Sequence, residues 1–138
     1  MALTGQHTDL VDQALAAFDL EPDYDLGIMR PDQSLYDVAG GCLEGLREVV
    51  ADAGPDVVLV QGDTATVLFG GLVGFFERLR VGHVEAGLRS HDKWAPFPEE
   101  IFRRLTDVVS DFLFAPTAGA VENLRREGVE EERIHRTG

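Results

Sequence analysis

The chain has 138 residues with 25 acidic against 12 basic side chains, a formal net charge of −13 that excludes a nucleic-acid backbone or an anionic bilayer surface as partner. Its 44% hydrophobic content excludes an acidic disordered chain, and its single cysteine, Cys42, excludes internal disulfides and a cysteine zinc cage. The longest uncharged apolar run, residues 64–76, falls short of the roughly 20 residues of a membrane helix, and the opening residues lack a secretion-signal pattern, so the reading is a cytoplasmic protein.

Met1-Ala2-Leu3 reads as the stump of a strand that hands over to the turn Thr4-Gly5-Gln6-His7, and a helical pattern follows over about residues 8–18. A second helix is predicted over 33–53, where Leu35, Val38, Cys42, Leu46 and Val49-Val50 recur at three-to-four spacing with acids between. Val57-Val58-Leu59-Val60 is a continuous apolar run ending at Gly62, which predicts a strand buried on both faces. The next helix, 64–78, is apolar all round, with Gly70, Gly71 and Gly74 allowing close approach. It needs cover on several sides, from the sheet plus a neighbouring helix or a second subunit. Val81-Gly82-His83-Val84 predicts another strand, 99–110 a helix, Phe112-Leu113-Phe114-Ala115 a strand stopped by Pro116, and 118–128 a helix. Ile134 opens a last strand. Alternating strand and helix predicts an α/β, Rossmann-like parallel sheet with helices on both faces. Opening on a turn and closing on Thr137-Gly138, both ends read as cut.

Ligands of open parallel sheets bind beyond the carboxyl ends of the strands. Four segments fall there: Thr4-Gly5-Gln6-His7, Gln61-Gly62-Asp63-Thr64, Glu85-Ala86-Gly87-Leu88-Arg89 and Pro96-Phe97-Pro98-Glu99-Glu100. Each has an ordinary structural explanation. Asp63 or Thr64 can cap a helix, and Glu99 and Glu100 suit a first helical turn, four residues before Arg103 and Arg104. Glu85 has none: a carboxylate directly after a buried strand and before Ala-Gly neither caps nor decorates a surface. Asp63, Glu85 and Glu99 on one edge make a proton-transfer site. His7 and His83 form no pair at metal-ligand spacing, so no metal is expected.

Thr4-Gly5-Gln6-His7, Pro22-Asp23-Tyr24-Asp25-Leu26, Gln61-Gly62-Asp63-Thr64, His83-Val84-Glu85-Ala86-Gly87-Leu88-Arg89, Pro98-Glu99-Glu100 and Phe114-Ala115-Pro116-Thr117 occur in one order and spacing. As a set they closely resemble the non-hydrolysing UDP-N-acetylglucosamine 2-epimerases. The resemblance implies half of a GT-B-like architecture: residues 1–138 as a partial N-terminal Rossmann-like domain, facing a cleft. The initial strand with its Gly-Thr-Arg-Pro-Glu loop and the second domain, which carries most of the UDP site, are expected to be missing. It implies interconversion of UDP-GlcNAc and UDP-ManNAc for surface polysaccharides, by elimination of UDP to 2-acetamidoglucal and re-addition, with no nicotinamide, metal or other redox cofactor. Asp63, Glu85 and Glu99 match the family's catalytic carboxylates, and Gln6, His7, His83, Arg89 and Arg103 its substrate-binding positions. The family is commonly a homodimer through first-domain helices, and this chain alone is expected to be inactive.

Two departures stand out. Phe102 replaces the Asn of the family's Pro-Glu-Glu-x-Asn-Arg, removing an amide near the site. Asp9 and Asp32 stand where a Gln and an Arg of the family's second, activating UDP-GlcNAc site belong, so that site is expected to be altered. A stand-alone, non-catalytic partner-binding domain, or a decayed remnant of such an epimerase, is the competing reading; another GT-B glycosyltransferase fits the acids less well. Lys93 is the only lysine against eleven arginines. With the acid excess this matches a halophilic protein, although a GC-rich genome makes the same exchange.

Overall fold

Strand and helix alternate along the chain in the computed structural model, which describes residues 1–5 and 8–138, apart from the side chains of residues 8–10 and 12. The elements are β1 (Ala2–Leu3), α1 (Thr8–Ala17), β2 (Tyr24–Asp25), α2 (Leu35–Ala53), β3 (Val57–Gln61), α3 (Ala65–Phe76), β4 (Arg80–Val84), α4 (Glu99–Val109), β5 (Phe112–Ala115), α5 (Ala118–Arg126) and β6 (Ile134–Arg136). Side chains cap the starts of α2 and α5, whereas Thr64 before α3 makes no side-chain cap bond, contrary to expectation. Ser34 and Asp37 form a reciprocal capping box at the start of α2, and Gly54, in the left-handed region, closes it. Thr117 caps α5 through the Ala120 amide.

The strands form two parallel sheets, β1-β2 and β3-β4-β5-β6 in that order. Val58 lies opposite Val81, His83 opposite Leu113, and Leu113 opposite Ile134. Helical crossovers between parallel strands turn right-handed. The step from β1 to β2 leads away from β3, whereas β3 to β6 step the other way, so α1 takes the opposite face from α3, α4 and α5. The fold is therefore the expected α/β arrangement with helices on both faces.

The α3 helix is covered within the chain as far as Gly74, while Phe75 and Phe76 at its end are 57% and 62% exposed. A Cβ at Gly74 would lie 2.8 Å from Val81 Cγ2 and 3.2 Å from Val58 Cγ2, so glycine there lets the helix rest directly on β3 and β4. One core cluster, Val38, Cys42 and Ala65 with Ile28, Leu46, Phe69 and Phe102, fills the seam between α2 and α3. The other, Ala86, Leu113, Ala115, Ala120, Val121 and Leu124, lies under α5. Burial raises the Cys42 thiol above its ordinary range, which makes it a packing residue, not a nucleophile. Phe102 turns into the first cluster, meeting Phe69 edge to face at 6.2 Å, so its ring is spent on packing.

One expectation is corrected. β3 is not buried on both faces: Val57 is 44% and Leu59 64% exposed. Val58 and Val60 meet α3 on one face, but β4 is the only strand hydrogen-bonded to β3 among the described residues. β2 also escaped the sequence reading, being a polar dipeptide that is a strand only because β1 pairs with it. No helix among the described residues is long and apolar enough to cross a membrane.

Candidate active site

At the carboxyl end of β3 the chain turns through Gly62, whose φ of +92° suits glycine, and the Gly62 amide donates to Val84 O at 3.0 Å. The turn delivers Asp63 to the sheet edge, where its carboxylate is held by the Arg103 guanidinium of α4. Arg103 also lies 3.7 Å from Glu100. Its Nε–H is buried with no hydrogen-bond partner among the described residues.

At the end of β4, Glu85 adopts a φ of +73°, a left-handed conformation that costs an L-residue about 1–2 kcal/mol. Its surroundings impose it. The Glu85 and Ala86 amides both donate to Phe114 O, at 3.1 and 3.2 Å. Gly87 donates to Asp107 Oδ2 at 3.1 Å, and Asn123 Nδ2 donates to Gly87 O at 2.9 Å. A Cβ on Gly87 would lie 2.4 Å from Ala120 O, so α5 seats directly against this turn. The Glu85 carboxylate accepts from Gln61 Nε2 at 3.0 Å, which ties the β3 and β4 ends together.

The paired acids at the start of α4 divide in two. Glu100 is wholly buried and accepts from the Ser90 and His91 amides at 3.0 and 3.3 Å, fastening the preceding loop to the helix. Glu99 is half-buried and stands one turn before Arg103, on the same helix face. That face reaches Asp63. Two carboxylates, Asp63 and Glu85, thus follow adjacent strands, Glu99 opens the helix that carries Arg103, and the Arg103 guanidinium holds Asp63.

Beneath this edge lies a buried polar network. Asp107, on the inner face of α4, has His83 Nδ1 at 2.6 Å, Arg89 Nη2 at 2.7 Å and the Gly87 amide at 3.1 Å. The other His83 nitrogen, Nε2, is 2.7 Å from Gly62 O. That carbonyl can only accept, so Nε2 carries a proton. One histidine and one aspartate therefore lock the β3 turn to the β4 turn. Arg89, its side chain 1% exposed, also donates to Leu88 O at 2.9 Å and to both Glu127 oxygens at 2.9 and 2.7 Å. Burial alone would lower its guanidinium pKa; the Glu127 hydrogen bond and the Asp107 and Glu127 charges more than reverse that and hold it raised.

Glu127 is held below its ordinary value of 4.5, first by the Arg89 hydrogen bond. A carboxylate depressed on folding contributes stability that is complete above its unfolded value and lost as pH falls through the folded one. Glu127→Gln is therefore expected to melt below the wild type at neutral pH, with the gap closing as pH drops below about 4.5. Parallel melting curves down to pH 3 check this; a constant gap would show that the pair's contribution is not ionic.

Of the residues singled out from sequence, the structure brings Asp63, Glu85 and Arg103 to one edge and sets Glu99 on the α4 face beside them. His83 and Arg89 lie below that edge, engaged with protein groups. Gln6 and His7, with the side chain of Asp9, lie outside the described residues. The sequence reading missed Asp107. Its signal was the run Glu100, Arg103 and Asp107 at helical spacing, a polar line on the face of α4 that packs inward. Among the described residues no group of three or more His, Cys, Asp or Glu side chains is arranged to hold a metal ion.

The comparisons with known proteins agree with one another. A family model described as UDP-N-acetylglucosamine 2-epimerase matches residues 1–138. A Yersinia pestis UDP-N-acetylglucosamine 2-epimerase is 49% identical over 138 residues, which are 100% of this chain and 37% of that protein. The crystal structure of UDP-GlcNAc 2-epimerase from Neisseria meningitidis bound to UDP-GlcNAc superposes with a TM-score of 0.92 at 42% identity, covering 99% of this chain and 38% of that one. The Methanocaldococcus jannaschii enzyme, in complex with UDP-GlcNAc and UDP, superposes at 0.90 with 43% identity, covering 98% of this chain and 37% of that one. The chain thus spans little more than a third of the relatives it matches.

Proposed function

The chain belongs to the UDP-N-acetylglucosamine 2-epimerase family, and from that premise we propose that residues 1–138 form part of its N-terminal domain and supply the acid–base wall of a cleft that inverts C2 of UDP-N-acetylglucosamine. The observation that carries this reading is Glu85, forced into a left-handed turn at the sheet edge with Asp63 and Arg103 alongside.

The chemistry needs such a wall. The C2 hydrogen has no neighbouring carbonyl to make it acidic, so it leaves more readily once UDP departs and the ring becomes oxocarbenium-like. Carboxylates beside the ring stabilise that charge, and inversion needs one proton taken from one face and one delivered to the other. Asp63, Glu85 and Glu99 are the groups proposed for these tasks. The unpartnered Arg103 Nε–H supports an additional hydrogen bond to an acceptor on the substrate. His83 and Arg89 act from beneath by holding the turns, while Gln6 and His7 remain proposed substrate contacts.

The test is a chimera in which residues 1–138 replace the matching segment of the Neisseria meningitidis enzyme. We expect it to convert UDP-GlcNAc to UDP-ManNAc, with deuterium entering C2 in deuterated buffer. A folded chimera that binds UDP yet leaves the C2 hydrogen unexchanged overturns the reading.

A homodimer and a salt-adapted surface belong to the same proposal, as does a place in surface polysaccharide synthesis. Phe75 and Phe76, ending α3, and Val108 on α4 are exposed around one hollow, and we place the second copy there. Sedimentation is expected to show a dimer that Val108→Glu dissociates; unchanged association moves the interface elsewhere. With a net charge of −13, self-repulsion weakens as the Debye length falls from about 30 Å at 0.01 M salt to about 3 Å at 1 M. The melting temperature is expected to rise with potassium chloride, and a flat response would return the arginine bias to genome composition.

A further inference from the structure

His83 is wholly buried, and the groups at its two ring nitrogens determine how many protons it carries. Nε2 lies 2.7 Å from Gly62 O, which only accepts, so that nitrogen donates. Nδ1 lies 2.6 Å from Asp107 Oδ1. Two lone pairs do not face each other at that distance, so one proton lies between them, on the ring or on the carboxyl group. The other oxygen of Asp107 decides which. Oδ2 accepts from the Gly87 amide at 3.1 Å and from the Arg89 guanidinium at 2.7 Å, and two donors, one of them charged, favour the ionised carboxylate. The proton therefore belongs to Nδ1, and the ring is an imidazolium.

The surrounding charges agree. Arg89 pairs with both Asp107 and Glu127. Arg104 reaches Glu127 only from the exposed side, at 3.8 Å, and Arg133 donates to the main-chain carbonyl of Asp107, not to its carboxylate. A charged His83 sets two cations, His83 and Arg89, against two anions, Asp107 and Glu127. A neutral ring would leave the two anions sharing Arg89, the one cation among the described residues that touches both, and a poorly matched buried carboxylate is costly. The consequence for the site follows from the neighbours in sequence. Asp63 comes directly after Gly62, and Gly87 stands two residues after Glu85. A hydrogen bond from a cation is roughly twice as strong as one between neutral groups, so the imidazolium pins the Gly62 carbonyl while the other oxygen of Asp107 pins the Gly87 amide. One side chain on α4 thus sets the spacing of two carboxylates whose turns it holds from below.

We infer that Asp107 is a positioning residue for both proton-transfer carboxylates: it keeps His83 as an imidazolium that fastens the turn before Asp63, and with its second oxygen it fastens the turn after Glu85. The protonation stands on the geometry alone, and the effect on turnover rests on the epimerase reading proposed above.

The ring is read in the chain itself by nitrogen NMR of isotope-labelled histidine, with His83→Gln identifying its signals among the four histidines. Both ring nitrogens are expected to carry protons, the one on Nδ1 far downfield and slow to exchange; a bare Nδ1 overturns the inference. In Asp107→Asn the side-chain amide can itself donate to Nδ1, so that nitrogen is expected to lose its proton while Nε2 keeps its own. Turnover is read in the epimerase chimera. Asp107→Ala is expected to lower kcat for UDP-GlcNAc about 100-fold, the loss that a misplacement of about 1 Å brings, with KM unchanged. Asp107→Asn, which restores the contact to the ring, is expected to recover kcat to within about tenfold of the wild type. Each variant is assayed below its own melting temperature, and if the alanine variant does not fold, the asparagine variant decides alone. Wild-type kcat in folded Asp107→Ala, or an asparagine variant that falls short of that recovery, overturns the positioning role. An inactive wild-type chimera overturns the epimerase reading instead. The positioning is then read in the chain, where Asp107→Ala is expected to speed amide exchange at Gly62 and Gly87 together; loosening of one turn without the other overturns it.

Discussion

Glu85→Gln in the epimerase chimera is expected to slow conversion of UDP-GlcNAc by about 100- to 10,000-fold, the usual contribution of a general acid or base. The substitution is chosen to change charge and little else. A glutamine keeps the length of the side chain and can still pair with Gln61, so the turn fixed by Phe114 O and Asp107 stays intact. UDP binding is expected to persist, because removing a negative charge does not weaken the hold on an anionic diphosphate. Turnover and C2 deuterium exchange should fall together, and wild-type exchange in the variant would remove Glu85 from the reaction.

The largest effect on stability is expected at Asp107. Asp107→Ala removes the one group that faces His83, Arg89 and the Gly87 amide at once, and leaves buried donors with no replacement. Breaking one side of a buried ionic network destabilises by about 3–5 kcal/mol. In a domain of this size that lowers the melting temperature by roughly 10 °C or more. Glu127 still partners Arg89 in the variant, which sets the loss below that of removing the whole network. Asp107→Asn keeps the shape and one acceptor, and should fall between the two. Urea titration of the three proteins decides it; equal midpoints would mean that water replaces the carboxylate without penalty.

How far the sequence could be read follows from which properties are local. Helices α2, α3, α4 and α5 were visible because the pattern that marks each, periodic in α2 and apolar throughout in α3, lies within the segment. So were the apolar strands β3, β4 and β5. β2 was not, since Tyr24-Asp25 is a strand only by virtue of pairing with Ala2-Leu3, far off in sequence. Exposure of β3 was illegible for the same reason: the apolar run shows what the strand needs, not which neighbours it has. Within the site, Asp63 and Glu85 were legible from their position after strands. The division of labour between Glu99 and Glu100 was not, because the buried member is chosen by the Ser90 and His91 amides. Arg89 was legible only through the resemblance, and the partners that bury it and Asp107 together become visible only in the tertiary fold.

The seating of α5 against the Gly87 turn gives the site a place in time as well as in space. The Asn123 bond to Gly87 O, and the Leu124 side chain beside it, come from residues made well after Glu85. A growing chain that has not yet reached Asn123 carries Glu85 without the clasp that holds its turn, so the acidic edge is completed only once α5 has been made. Pulsed hydrogen exchange on refolding should show it, with the Glu85, Ala86 and Gly87 amides gaining protection together with α5 and after the α2–α3 seam.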